Sequence, residues 1–138
     1  MPLLEAEYID TGKVRYVTHP YYLEQFGTLL ATEAAWCAAD QGKFFEYSHA
    51  LFERQGSMPL DQNALTNLAA EVGLDANAMT QCLANGTHRN DVAEARQAAL
   101  NRGITSTPTF FINNRRVDGN QPYEVFKQII EQELAAAQ

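Results

Sequence analysis

One stretch restricts the fold of this chain more than any other: Ser106-Thr107-Pro108-Thr109-Phe110-Phe111-Ile112-Asn113-Asn114-Arg115-Arg116-Val117. Thr-Phe-Phe-Ile is a short β-branched and aromatic run, and Arg-Arg-Val-Asp is a second run beyond Asn113-Asn114. Two central residues that tolerate positive φ predict a two-residue type I′ turn, so the runs should pair antiparallel. Pro108 cannot donate to a ladder and heads the first strand, where a proline is permitted. An X-Pro bond is cis in only about 5–6% of cases, so nothing local predicts a cis bond at Thr107-Pro108. Beyond the hairpin, Gly119 to Pro122 breaks the chain, with Pro122 suited to a first helical position. Val125, Phe126, Ile129, Ile130 and Leu134 then recur at helical spacing and predict an amphipathic C-terminal helix packed on the hairpin.

Composition limits what surrounds this hairpin. The 138 residues are 46% hydrophobic and 20% charged, enough apolar material for a core in a single domain. A net charge of −7 argues against nucleic acid as a partner, since phosphate binding gains affinity from clustered Lys and Arg, and Arg115 with Arg116 is too small a patch. No apolar run approaches the roughly 18 residues that would cross a bilayer. The opening Met-Pro-Leu-Leu-Glu lacks a basic region followed by an apolar one, so the expectation from these residues alone is a chain with neither leader nor anchor.

Upstream, Leu3 to Ile9 has the pattern of the tail of a helix, Asp10-Thr11-Gly12 of a turn, and Lys13 to Thr18 of an alternating strand. From Leu23 to Gly103 the pattern is helical almost throughout. Leu30, Ala34 and Cys37 mark one face; Phe44, Tyr47, Leu51 and Phe52 mark the next helix, after Gly42. Asp61 suits the N-cap of a segment that Gly73 ends, and Asp75 opens the segment with Met79, Cys82 and Leu83. Thr87 suits the opening of a last helix, through Val92, Ala95, Ala99 and Leu100 to Gly103. The predicted order is helix tail, strand, helical block, hairpin, helix, with no repeat or low-complexity tract.

That order resembles the DsbA-like thiol:disulfide oxidoreductases, in which a helical insertion interrupts a thioredoxin fold before the cis-proline strand. Four segments carry the resemblance: Glu7 to Val17, Asp40 to Tyr47, Gly103 to Asn113, and the C-terminal helix. Ser-Thr-Pro-Thr-Phe is the most specific of these motifs. The resemblance implies an α/β, thioredoxin-like (DsbA-type) fold in one domain, with residues 1–22 and 104–138 as the thioredoxin-like part and 23–103 as the helical insertion. It implies a cis Thr107-Pro108 bond, and a substrate-binding loop of Ser106, Thr107 and Pro108 whose backbone holds an extended polypeptide. It implies an extracytoplasmic home and no cofactor.

The chain departs from the family pattern at its reactive centre. Family members carry a Cys-x-x-Cys at a helix N-terminus, where the free N–H groups stabilise a thiolate. No such motif occurs in this sequence, so no residue is assigned a catalytic role and the expectation is a truncated chain, inactive alone in disulfide reduction. The family's first strand, central in the sheet, and most of its first helix are also unmatched. Unpaired strand edges at that gap should favour a homodimer in the isolated chain.

Cys37 and Cys82, the two cysteines, lie 45 positions apart on separate predicted helices and on apolar faces. Their pattern fits buried small hydrophobes. The family resemblance, with export to an oxidising compartment, implies instead a structural disulfide. Two thiols and three scattered histidines do not form a zinc motif of recognisable spacing, so no metal is expected. A Cys37/His49 dyad would lack an orienting group. His19 should end the strand, and His88 should be a solvated first-turn residue. Trp36, Phe44, Phe45, Tyr47 and Phe52 are expected to pack in the core. Two functions stay open: the larger part of a DsbA-like oxidoreductase acting on secreted clients and a redox partner protein, or a non-catalytic peptide-binding or assembly module. A glutathione-using isomerase branch has no identified glutathione site.

Overall fold

The computed structural model describes residues 2–137. It divides into two compact units: one formed by Met1–Thr18 with Asn101–Gln138, the other by His19–Leu100.

In the first unit the chain opens with a short helix, α1 (Pro2–Leu4), that widens into a π-helical turn at Glu5–Ile9. Asp10 N–H closes this turn on the Glu5 carbonyl, and Gly12, with φ +71°, carries the chain out of it. After Asn101 come strands β1 (Thr109–Ile112) and β2 (Arg115–Asp118), then α7 (Tyr123–Ala136), the last helix in chain order. The two strands pair antiparallel, with Thr109 opposite Asp118 and Ile112 opposite Arg115. Asn113 takes positive φ (53°) in the two-residue turn, whereas Asn114 is not among the positive-φ residues, so the turn departs from type I′. The φ of −56° and ψ of 149° at Pro122 put it one position earlier than predicted, as the cap before α7, because the extended ψ lies outside the helical region. Leu4, Tyr8, Val117, Phe126 and Ile130 are buried together, and Phe110 meets Phe126 edge to face at 4.9 Å. The helical spacing of Phe126 and Ile130 thus does what the sequence pattern requires: it lays one stripe of α7 against β1 and α1.

Residues 14–20 have no regular secondary structure, which corrects the predicted strand at Lys13 to Thr18 and, with it, the placing of His19 at a strand end. The physical reason is pairing. A strand persists only when a neighbour takes its N–H and C=O groups, and among the described residues the sheet contains β1 and β2 alone. Instead, the N–H groups of Lys13 and Val14 both donate to the Tyr8 carbonyl.

The second unit is helical: a 3₁₀ turn at Glu24–Phe26, then α2 (Leu29–Asp40), α3 (Phe44–Glu53), α4 (Gln62–Glu71), α5 (Ala76–Asn85) and α6 (Arg89–Asn101), which ends as it enters the first unit. The capping residues read from sequence act as caps: Asp61 Oδ1 accepts from Ala64 N–H at 2.9 Å, and Asp75 Oδ1 from Asn77 and Ala78 N–H at 2.8 and 3.1 Å. Gly73 follows the end of α4 at φ +76°, and the Lys43 ammonium donates to the Val72 and Gly73 carbonyls there. Ala34, Cys37, Ala38, Tyr47, Leu65, Leu68, Ala69, Met79 and Leu83 form the core between α2, α3, α4 and α5. The fully buried Tyr47 hydroxyl donates to the Leu65 carbonyl at 2.9 Å.

Phe45 and Phe52 are 56% and 74% exposed, which corrects their assignment to the core. They are seven residues apart and so share a face of α3, one step of about 100° from the face that carries Phe44, Tyr47 and Leu51 inward.

Candidate functional site: the Pro108 loop and the Cys37–Cys82 centre

Chemistry-bearing residues gather at two places, one in each unit. In the first unit, α6 gives way at Gly103 (φ +70°) to an irregular segment that reaches β1 through Thr105, Ser106, Thr107 and Pro108, all exposed. The Thr107-Pro108 peptide bond is cis. The loop is held on both sides: Thr109 Oγ1 donates back to the Ser106 carbonyl at 2.8 Å, and Gly119 N–H donates to the Pro108 carbonyl at 2.8 Å. Arg116 bridges the loop base, donating to the Gly103 carbonyl at 3.1 Å and to Asp118 Oδ1 at 2.8 Å. Arg102 lies over the Phe111 ring at 4.1 Å. Fixed at its ends and exposed between, the loop presents backbone groups beside a strand whose second edge has no strand partner among the described residues.

On the same unit a cleft of about 310 Å³ is lined by Leu3, Leu4, Phe110, Gln121, Tyr123 and Phe126 among others. Tyr123 lines it, and Tyr8 packs in the same core cluster as the lining residues Leu4 and Phe126. Tyr8 is 1% exposed and donates to Glu131 Oε1 at 2.7 Å; that hydrogen bond, with burial, raises its pKa.

In the second unit Cys37 and Cys82 are joined by a disulfide, with 6.1 Å between their Cα atoms. The bond takes the Cys37 sulfur out of any dyad with His49, which is exposed and paired instead with Glu53 at 3.3 Å. His88 is not the solvated residue the sequence predicts. It precedes α6, its side chain is only 12% exposed, and its two ring nitrogens meet two carboxylates: Nε2 with Asp40 Oδ2 at 2.6 Å and Nδ1 with Asp91 Oδ2 at 2.7 Å. Its ring also packs on Trp36, with centroids 5.6 Å apart. Burial draws the imidazole toward its neutral form, but the two carboxylates outweigh this and raise its pKa, so a protonated ring donates through both nitrogens. One nitrogen of His88 and the sulfurs of Cys37 and Cys82 lie within 4.8 Å of one another. Sequence reasoning missed this grouping because His88 is separated from Cys37 by the whole of α3, α4 and α5. The cue it offered was Asp91 three residues on, the spacing of a helical side-chain pair.

Nearby, Glu33 is 2% exposed at its side chain and accepts from Arg89 Nε at 3.1 Å, while its Oε2 is buried without a hydrogen-bond partner among the described residues. No local sequence pattern marks a buried acid on α2.

Comparison with known proteins places these features. The Na(+)/H(+) antiporter NhaA 3 of Salinispora tropica is 32% identical over 133 residues, which cover 90% of this chain and 19% of that protein. The uncharacterized protein YwbO of Bacillus subtilis is 30% identical over 138 residues, covering 96% of this chain and 65% of YwbO. The chain thus spans about a fifth of the antiporter and just under two thirds of YwbO. Among the described residues, no helix is long and apolar enough to cross a membrane. The crystal structure of oxidised BdbD from Bacillus subtilis superposes with a TM-score of 0.79 at 22% identity, covering 97% of this chain and 76% of BdbD, which shows a shared fold. A family model described as thioredoxin matches residues 3–132, from α1 through the helical unit and the Pro108 hairpin into α7, and on that match the chain belongs to the thioredoxin family.

Proposed function

We propose that this chain is the substrate-holding part of a DsbA-like thiol:disulfide exchange protein, working outside the cytoplasm on extended segments of client polypeptides. The observation that carries the reading is the second edge of β1, which no strand pairs among the described residues, beside the exposed loop of Ser106, Thr107 and Pro108. An extended peptide can add to such an edge by main-chain hydrogen bonds, with little demand on its side chains. The Cys37–Cys82 disulfide supports an oxidising compartment. The thioredoxin-family match and the fold shared with BdbD support exchange chemistry as the setting. The sequence contains no Cys-x-x-Cys, so the attacking thiolate of such a reaction comes from outside residues 1–138. Residues 1–138 alone are expected to be inactive in insulin reduction.

Fluorescence anisotropy with a labelled unfolded peptide tests the reading. Binding is expected for the ordinary peptide and should be lost when its backbone is N-methylated at alternate residues, which removes the donors that pair with a strand edge. Equal binding of both peptides, or of neither, would remove the edge as the substrate site.

A second reading, non-catalytic assembly, draws on the same open edge. It predicts binding that is indifferent to an added Cys-x-x-Cys partner, whereas the exchange reading predicts turnover of a disulfide client once that partner is supplied.

A further inference from the structure

We propose that Cys37 and Cys82, once their disulfide is reduced, form a Zn²⁺ site with His88 as third ligand and Asp40 as fourth. The site lies wholly in the second unit and owes nothing to the Pro108 loop, so its failure would leave the proposed peptide-binding function standing.

Three elements converge on it. Cys37 and Asp40 are three residues apart on α2 and so share a helix face, Cys82 comes from α5, and His88 stands at the entry to α6. The two sulfurs and a ring nitrogen of His88 are already within 4.8 Å of one another. Nε2 lies 2.6 Å from Asp40 Oδ2 on α2, so ligation through Nε2 is the arrangement that brings Asp40 in as the fourth ligand. Nδ1 is held by Asp91 Oδ2 at 2.7 Å, the carboxylate–histidine pairing that fixes the tautomer and orientation of a ligating imidazole. Tetrahedral zinc, with sulfur at about 2.3 Å and nitrogen or oxygen at about 2.0–2.1 Å, sets its two sulfurs roughly 3.8 Å apart and its nitrogen and oxygen roughly 3.3 Å apart. With the Cα atoms of Cys37 and Cys82 at 6.1 Å, side-chain rotation can supply that opening. Cys37 is 2% exposed and the His88 side chain 12%, which shields the centre, while the half-exposed Asp40 gives the ion an entry from solvent. Two thiolates with an imidazole and a carboxylate favour zinc over magnesium or calcium, which take oxygen ligands.

The chemistry balances with a dithiol reductant. Two electrons and two protons pass from the dithiol to the Cys37–Cys82 disulfide, giving two thiols and the oxidised, cyclic form of the reductant. Zn²⁺ then displaces both thiol protons and the proton on Nε2 of His88, while the Nδ1 proton stays on His88 and donates to Asp91. A disulfide oxidant reverses the first step and releases the metal.

Cobalt(II) is the probe. The full chain is reduced with a dithiol, freed of reductant without oxygen, and titrated with Co²⁺. One equivalent should give thiolate-to-cobalt charge transfer and the strong visible bands of a tetrahedral ion, both abolished by Zn²⁺, whereas the oxidised chain should give neither. Asp91→Asn should weaken binding by about 10–100-fold, and His88→Ala should remove the tetrahedral spectrum while circular dichroism shows the oxidised variant still helical. Absence of cobalt uptake by reduced chain overturns the proposal. So does unchanged affinity in His88→Ala, or uptake accompanied by loss of helical signal, which would mean binding by an unfolded dithiol. Should His88→Ala not fold, Asp40→Asn and Asp91→Asn decide alone, and unchanged affinity in both overturns the site.

Discussion

Tyr8 and Tyr47 are the residues whose ionisation the fold resists most visibly. Tyr8 is held neutral by its hydrogen bond to Glu131 and by burial, and Tyr47 by burial alone, so both have raised pKa values. In the unfolded chain each phenol loses its proton near pH 10. Below that pH both states are protonated and the stabilisation from these groups is complete; above it only the unfolded state gives up the protons, and stability falls as pH rises. The expected outcome is alkaline unfolding in which the phenolate absorbance of these two tyrosines appears together with loss of helical signal. Phenolate absorbance from Tyr8 and Tyr47 before any unfolding would contradict this. Charge burial gives a second residue-level outcome. Replacing Arg89 leaves the Glu33 carboxylate buried and unpaired, whereas Glu33→Gln removes the charge itself. Arg89→Met should therefore cost more than Glu33→Gln, though less than the roughly 3–5 kcal/mol of a fully buried pair because the Arg89 side chain is 61% exposed, as read by urea denaturation. Glu33 itself was illegible in the sequence. A buried acid shows no local pattern, and its partner is 56 positions away.

Element boundaries with a local cause could be read directly. Asp61, Gly73 and Asp75 each act through groups within a few residues, and each stands where the sequence puts it. Asp61→Ala and Asp75→Ala should each cost about 0.5–2 kcal/mol. The larger loss is expected at Asp75, whose Oδ1 accepts two backbone N–H groups, those of Asn77 and Ala78, where Asp61 accepts one; chemical denaturation of the two variants would check the order. The strand predicted at Lys13 to Thr18 failed for the opposite reason. Its alternation is a real property of the residues, but a strand is a relation between two segments, and no described segment lies ready to pair with this one. On α3 the helix itself was readable, and the error was one of phase: an aromatic-rich helix has more apolar residues than its inward stripe can take, so Phe45 and Phe52 are left in solvent.

For the whole molecule, the second edge of β1, unpaired by any strand among the described residues, sets the expected association state. Exposed strand edges pair with whatever extended backbone is available, including another copy. Light scattering should show residues 1–138 moving from monomer toward dimer as concentration rises, and a strand-forming peptide should reverse it; a monomer at all concentrations would count against an accessible edge. The Cys37–Cys82 bond closes a loop of 45 residues inside the second unit and should stabilise it by roughly 4 kcal/mol in the chain-entropy model. Thermal melts with and without reductant should differ accordingly, the loss falling on the helical unit.

The division of the chain has a temporal consequence. His19–Leu100 is continuous, whereas the other unit is assembled from Met1–Thr18 and Asn101–Gln138. During synthesis, the helical unit is complete in sequence once Leu100 has emerged, and its two cysteines can be oxidised then. The opening residues, with Leu4 and Tyr8 meant for a core that also needs Val117, Phe126 and Ile130, must wait for the last 38 residues, 101–138, roughly 2–8 s at ordinary elongation rates. For that interval the helical unit is finished while both segments flanking it are not, and Leu4 and Tyr8 are without the residues that bury them.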